Sequence, residues 1–480
     1  MTVLSSRCNA SKVLRPERCV VLDGKPCAAC TEDIELEKQI GELETLIYEL
    51  YNRRRALRTV MNDNHDHLIH NFPPEIVSHI FVLYATPNVS THKNKRSTPL
   101  RLGAVCRKWR QLAWATPRLW SSLALDFTFG KNDPLHSLHL IDEWLERSAS
   151  LPLTIRYDDR SAHPQAANIL NKHSARWHDV HFDIAVHHLH HLNSPSQGNS
   201  SCLLVLRYPF QFSVRPFDFP PFRATELALK SVPVPHVNIT WNNITVAFLY
   251  DICVDQCIEV IRRAPLLRTF RLQAIKPLSH IFPLPNARIL HPQVRSFELS
   301  ENSSNVVATL DSLSFPSLEE WINDDYSQLW NGPELPEKMT SFIRCSPSLK
   351  IFKINIDHIS CHRIIEGLHH FSTIEVLGLH SVLHRFRIIQ LLDALCAPTQ
   401  SQSPLFLPHL QSLEFVSKIY FPWESLPQIF SSSRWRSLRV KVNTRSGGHD
   451  TEVKTAEVLG ELMEGFDLSI GKIDEPEWYY

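Results

Sequence analysis

The chain has 480 residues, 43% of them hydrophobic and 21% charged, an ordinary soluble globular composition with room for two or three domains or for one elongated repeat domain with appendages. Its 50 basic and 50 acidic residues cancel, so the basic surplus of a nucleic-acid binder is missing and no nucleic-acid partner is expected. No apolar run of about 18 residues could span a bilayer, and Met1 to Cys8 begin no signal-peptide core, so the expectation is an intracellular protein, cytoplasmic or nuclear, without a membrane partner.

Residues 1–30 read as a mostly disordered leader. Of the 11 cysteines, which an intracellular chain keeps as free thiols, only Cys27-Ala-Ala-Cys30 has metal-like spacing. Cys8 and Cys19 upstream are not themselves a close pair, and no metal site is assigned.

Residues 31–66 read as a coiled-coil helix. Leu36, Ile40, Leu43, Ile47, Leu50, Arg54, Leu57 and Met61 step alternately by four and three, a heptad seam interrupted once, at Arg54. Glu35, Glu37, Glu42 and Glu44 lead and Arg53, Arg54, Arg55 and Arg58 trail, which suits the helix dipole. Such a narrow seam leaves an isolated helix marginal, so it either forms a weak homodimer or folds back on the rest of the chain.

Residues 67–125 carry two apolar helices. In Phe72-Pro-Pro-Glu-Ile-Val-Ser-His-Ile-Phe81 the prolines fit a first helical turn, Glu75 sits at the positive end of the dipole, and Ile76, Ile80 and Tyr84, flanked by Val77 and Phe81, form a stripe at helical spacing. Leu102, Val105, Cys106, Trp109 and Leu112 form a second stripe, closed by Pro117. Between them, Ala85 to Pro99 read as a polar loop. In order and spacing these segments, with Thr116-Pro-Arg-Leu-Trp-Ser-Ser-Leu123 behind them, resemble an F-box of the fungal, basidiomycete type. The resemblance implies that Phe72, Pro73, Glu75, Ile76, Val77, Ile80, Phe81, Leu102, Val105, Cys106, Trp109 and Leu112 bind a Skp-type adaptor, which links the chain to a cullin.

Residues 126–445 read as an irregular solenoid. Leu135 to Ala149 form an amphipathic helix leading to a first strand, Leu153 to Tyr157. The spacing Leu-x-x-Leu-x-Leu then recurs from Ala224-Leu227-Leu229 and Ile244-Ala247-Leu249 through Leu267-Phe270-Leu272, Val294-Phe297-Leu299, Leu318-Trp321-Asn323, Leu349-Phe352-Ile354, Ile374-Leu377-Leu379 and Leu410-Leu413-Phe415 to Trp435-Leu438-Val440, with Trp177-Val180-Phe182 as an earlier member. Most copies follow one another at about 20–29 residues, the leucine-rich-repeat range. Short helices, Cys257 to Arg263 and Ile388 to Cys396 among them, return the chain between strands. The residue between the second and third apolar positions points away from the core, which makes Arg271, Glu298, Ile322, Lys353, Gly378, Glu414 and Arg439 the candidate surface for a target protein. Residues 446–480 read as a capping helix or tail.

The fold class expected is therefore mixed α/β: coiled-coil helix, small all-α box, then a leucine-rich-repeat-like solenoid of parallel strands. No phosphate loop, zinc-protease helix or nucleophile elbow occurs, so no catalytic residue and no cofactor is assigned. His187-His-Leu-His-His191 has no accompanying carboxylate and reads as a solvated polar stretch. The function expected is that of a substrate-recognition subunit of a cullin–RING ubiquitin ligase, or else of a scaffold that uses the same surfaces outside any ligase.

Overall fold

The computed structural model describes residues 28–85, 99–127, 138–159, 163–195, 201–208, 220–300, 305–323, 335–356, 359–381, 389–393, 406–417, 439–444 and 468–472. The Cys27 to Cys30 pair and most of the expected leader, of the polar loop before Pro99 and of the expected capping helix or tail fall outside them or outside their described side chains. The chain divides into two compact units, Met1–Leu119 and Trp120–Tyr480.

The first unit is helical among its described residues. Helix α1, Ala28–His65, runs for 38 residues and keeps its seam exposed: Leu36, Ile40, Leu43, Ile47, Leu50, Leu57 and Met61 are all at least half accessible. Helices α2 (His67–Asn71), α3 (Pro74–Ala85), α4 (Pro99–Val105) and α5 (Arg107–Trp114) follow, and a 3-10 turn at Pro117–Leu119 closes the unit.

The second unit is built on a sheet of 14 strands in chain order, every pairing parallel. It opens with β1 (Ser122–Asp126), helix α6 (Leu138–Arg147), β2 (Leu153–Asp159), helix α7 (Pro164–Lys172), β3 (Trp177–Ala185), β4 (Ser201–Arg207), β5 (Glu226–Lys230) and β6 (Val246–Tyr250). Helix α8 (Val254–Arg263) leads to β7 (Thr269–Gln273), a two-residue β8 (Ile289–Leu290), β9 (Ser296–Ser300), helix α9 (Asn305–Ser312) and β10 (Leu313–Ser314), which pairs with β8 apart from the main sheet. Then come β11 (Glu320–Asn323), helix α10 (Leu335–Arg344), β12 (Ile351–Asn355), helix α11 (Cys361–Leu368), β13 (Val376–Ser381), β14 (Ser412–Ser417), β15 (Arg439–Thr444) and β16 (Leu468–Lys472).

Strand alternation explains the pattern. On β7, β9 and β11 every second residue is buried, as a strand with one covered face requires. The repeat's second positions line up as one ladder, Phe270 beside Phe297, Trp321, Phe352, Leu377 and Leu413, and its third positions as another, Leu272 beside Leu299, Asn323, Ile354, Leu379 and Phe415. The first positions Leu267, Val294, Leu318, Leu349 and Ile374 are fully buried as well. Each is followed by a residue whose amide hydrogen-bonds the equivalent carbonyl one copy back: Arg295 to Arg268, Glu319 to Arg295, Lys350 to Glu319, Glu375 to Lys350, at 2.8 to 2.9 Å. An array in which each copy completes the backbone bonding of its neighbour tolerates wide variation in the intervening loops. Behind the ladders, Phe342 of α10 packs against Phe297, Phe315 and Trp321, and Phe371 stacks on Phe352 at 4.4 Å.

Several expectations are corrected. The sheet starts at β1, before Leu153, because Leu123 and Leu125 alternate inward and pair beside Ile155 and Tyr157. Strand β4 was missed, since Cys202-Leu-Leu-Val-Leu is nearly continuous apolar sequence with no triplet spacing. Strand β16 stands inside the segment read as a capping helix or tail. In β15, Val440 pairs with Leu413 and Val442 is paired with Phe415, so the last copy is displaced by two residues from the expected one. Arg439 therefore shares a row with Ser412, and Lys441 takes the place beside Glu414.

Candidate functional site

The helical box of the first unit has two apolar faces with different fates. Val77 and Phe81 of α3, Leu102 of α4 and Ala113 of α5 are buried together with Leu119. Trp109 covers them, its ring 4.7 Å from that of Phe81. Asp66 fixes this ring: its carboxylate caps α2 by accepting from the amides of Leu68 and Ile69 at 3.1 Å and also accepts the indole N–H of Trp109. Cys106 is the N-cap of α5, its sulfur accepting from the Trp109 amide at 3.5 Å. Arg110 binds the Gly103 carbonyl at 2.8 Å, and Thr116 joins Leu112 of α5 to Ser78 of α3. Gly103 lies so close to the Trp114 ring that a Cβ there would fall within it, which is why α4 and α5 need glycine at this crossing.

The adjoining face is bare. Phe72 at the end of α2, Ile76, Ile80, Leu83 and Tyr84 along α3, and Val105 at the end of α4, are exposed, Ile76 to 48% and Leu83 to 64%. Pro73 and Glu75 stand exposed at the start of the same helix. Together they make an apolar stripe on a unit whose own core is already filled, the signature of a surface that meets another protein. Of the residues expected to touch an adaptor, Phe72, Pro73, Glu75, Ile76, Ile80 and Val105 lie open. By contrast Val77, Phe81 and Leu102 are core, and Trp109, Cys106 and Leu112 are half-buried supports. Leu83, absent from the expected set, belongs to the open face. So does Tyr84, at helical spacing from Ile80. Asp66 was missed too, though an aspartate just before a helix is an N-cap signal.

The sheet's outward row, from Arg271 through Glu298, Ile322, Lys353 and Gly378 to Glu414, is brought into continuous register. Its charges are already matched on the face: Arg271 lies 3.2 Å from Glu298, and Lys353 reaches Glu320 at 3.1 Å. Gly378 is buried beneath the Lys353 stem, whose Cγ lies 2.6 Å from where a Cβ would be, so the glycine makes room for that lysine. Further along the sheet Arg207 forks onto Asp183, both contacts at 2.5 Å.

The histidine segment departs from the reading as a solvated stretch. Val186–His191 is a 3-10 helix anchored by buried Val186 and Leu189, which draws His187, His188 and His191 half into the unit. Among the described residues no group of three or more His, Cys, Asp or Glu side chains is placed to hold a metal ion. No helix among them is long and apolar enough to cross a membrane.

The F-box-like family model matches residues 69–126, the span holding the open stripe and its supporting core. No curated protein matches the chain. An F-box-like domain suggests, in general terms, an adaptor-binding role of the kind found in SCF-type ubiquitin ligases, whose F-box subunits are generally non-catalytic.

Proposed function

We propose that the chain is a substrate-recognition subunit of a cullin–RING ubiquitin ligase, non-catalytic itself, which holds a Skp-type adaptor through the open face of its box and a target protein through a leucine-rich-repeat-like solenoid. The observation that carries the reading is the bare stripe Phe72, Ile76, Ile80, Leu83, Tyr84 and Val105 within the F-box-like match. The parallel strands in chain order and their repeating buried triplets support the solenoid. The chain's contribution is proximity: it turns the encounter of a target lysine with charged ubiquitin into an effectively intramolecular one. The compartment that fits this role is intracellular.

Burying one such side chain fully is worth about 1.5–3 kcal/mol, so losing two weakens binding by about two orders of magnitude. The double variant Ile76→Glu with Ile80→Glu is expected to lose adaptor and cullin on affinity purification while keeping its circular dichroism and melting temperature. Both positions are exposed, so the substitution leaves the core intact. Undiminished adaptor capture by the folded variant would overturn the assignment. Adaptor captured without cullin by the original chain would favour a scaffold outside the ligase.

A further inference from the structure

Helix α1 carries an eight-position seam whose seven apolar side chains are all exposed, and its charges are divided by sequence: acidic at the start, arginine-rich at the end. With Leu36, Leu43, Leu50 and Leu57 at d and Ile40, Ile47, Arg54 and Met61 at a, the flanking e positions are Glu37, Glu44, Tyr51 and Arg58, and the g positions are Gln39, Leu46, Arg53 and Val60. A second copy in the same direction would set Arg54 against Arg54 in the seam and Arg53 against Arg58 on both flanks. Like charges so placed repel.

Reversal of the second copy removes each of these conflicts. The seam then closes in layers of one a and one d residue: Leu36 with Met61, Ile40 with Leu57, Leu43 with Arg54, and Ile47 with Leu50, each formed twice. Every apolar seam residue except Leu43, which meets Arg54, finds an apolar partner, and the two arginines are separated along the axis. The e positions meet along one flank, where Glu37 pairs with Arg58 twice, once at each end, and the arginine-rich half of each helix lies along the acidic half of the other. We infer that α1 pairs antiparallel with α1 of a second copy, making the protein a homodimer through this helix. The complementarity of charge selects the second copy as the occupant, because a helix with both an acidic and a basic half fits its own reverse.

The test is sedimentation equilibrium of the full chain, original and with Arg58→Glu, Glu37→Arg, and the two combined. All these side chains are exposed, and circular dichroism verifies that the helix persists. Each single reversal replaces two attractive pairs by two repulsive ones and is expected to raise the dimer dissociation constant about ten-fold, and the combined variant to restore it. High salt should shrink these differences, as it does for exposed charges. A monomeric original chain overturns the proposal. A dimer strengthened by Arg58→Glu means parallel pairing, and one indifferent to all three variants means association elsewhere; either result also overturns it. Adaptor co-purification by the same variants is a separate readout, so failure of the dimer and failure of the ligase reading are told apart.

Discussion

His188 lies where burial and charge both act on one ring. Its Nδ1 is buried with no hydrogen-bond partner among the described residues, and the His187 ring stands 3.7 Å from its own. Burial first, then the neighbouring His187, push its pKa down to about 4, with Asp159 partly offsetting them. His187 and His191 are lowered too, chiefly by burial. The folded chain therefore keeps these rings neutral at pH values where the unfolded chain, with histidines near 6.5, protonates them. Between pH 6.5 and about 4 the unfolded state binds more protons, so stability present above pH 6.5 is lost as pH falls. The half-exposed position screens part of this effect. Melting temperatures followed by scanning fluorimetry should drop from about pH 7 to about pH 5, and His188→Gln should flatten that slope. An identical slope in the variant would mean that other groups control the acid response. None of this was legible in the histidine run, because spacing alone does not reveal that Val186 and Leu189 draw it inward.

Helix α3 shows what an apolar pattern conveys and what it withholds. The prolines, the dipole-matched Glu75 and the helical spacing made the element itself legible. Its inward face was not, because Ile76 and Ile80 form one apolar line and Val77 and Phe81 another, one residue round the helix. Packing decides between them: Phe81 meets the Trp109 ring that Asp66 holds in place, and Ile80 is left outside. The two lines should respond differently to truncation. Phe81→Ala is expected to cost about 3–5 kcal/mol of stability through the cavity it leaves. Leu83→Ala should leave the melting temperature within experimental error and weaken adaptor binding instead. Titration calorimetry with a purified Skp-type adaptor, paired with thermal denaturation, separates the two. A stability loss at Leu83 equal to that at Phe81 would place the core on the other face. Strand β15 withheld its register for a related reason. A strand has a period of two, so a displacement by two residues leaves Leu438, Val440 and Val442 in phase and the sequence reads equally well either way.

For the molecule as a whole, the apolar triplets were legible because burial imposes the same spacing on the strands paired from β5 to β14, and the loops that vary between them do not disturb it. The outward face was legible as positions but not as chemistry, since strand alternation says which residues face out and nothing of how they pair with one another. Arg271, one of the positions expected to meet a target protein, faces Glu298 at 3.2 Å, each side chain 30% exposed. Reversing Arg271 alone would set two carboxylates side by side and confuse lost recognition with local repulsion. The informative variant exchanges the pair, Arg271→Glu with Glu298→Arg, which keeps the attraction and inverts its direction on the surface. If this face selects the target, the exchange should leave melting temperature and adaptor binding unchanged, because the adaptor face draws on residues of the first unit, and should deplete the target proteins recovered by affinity purification and mass spectrometry by about ten-fold or more. Recovery of the same targets by the exchanged chain would move recognition off this row of strands. Loss of the adaptor together with the targets, in a chain that still melts as before, would show that the two binding surfaces do not act separately.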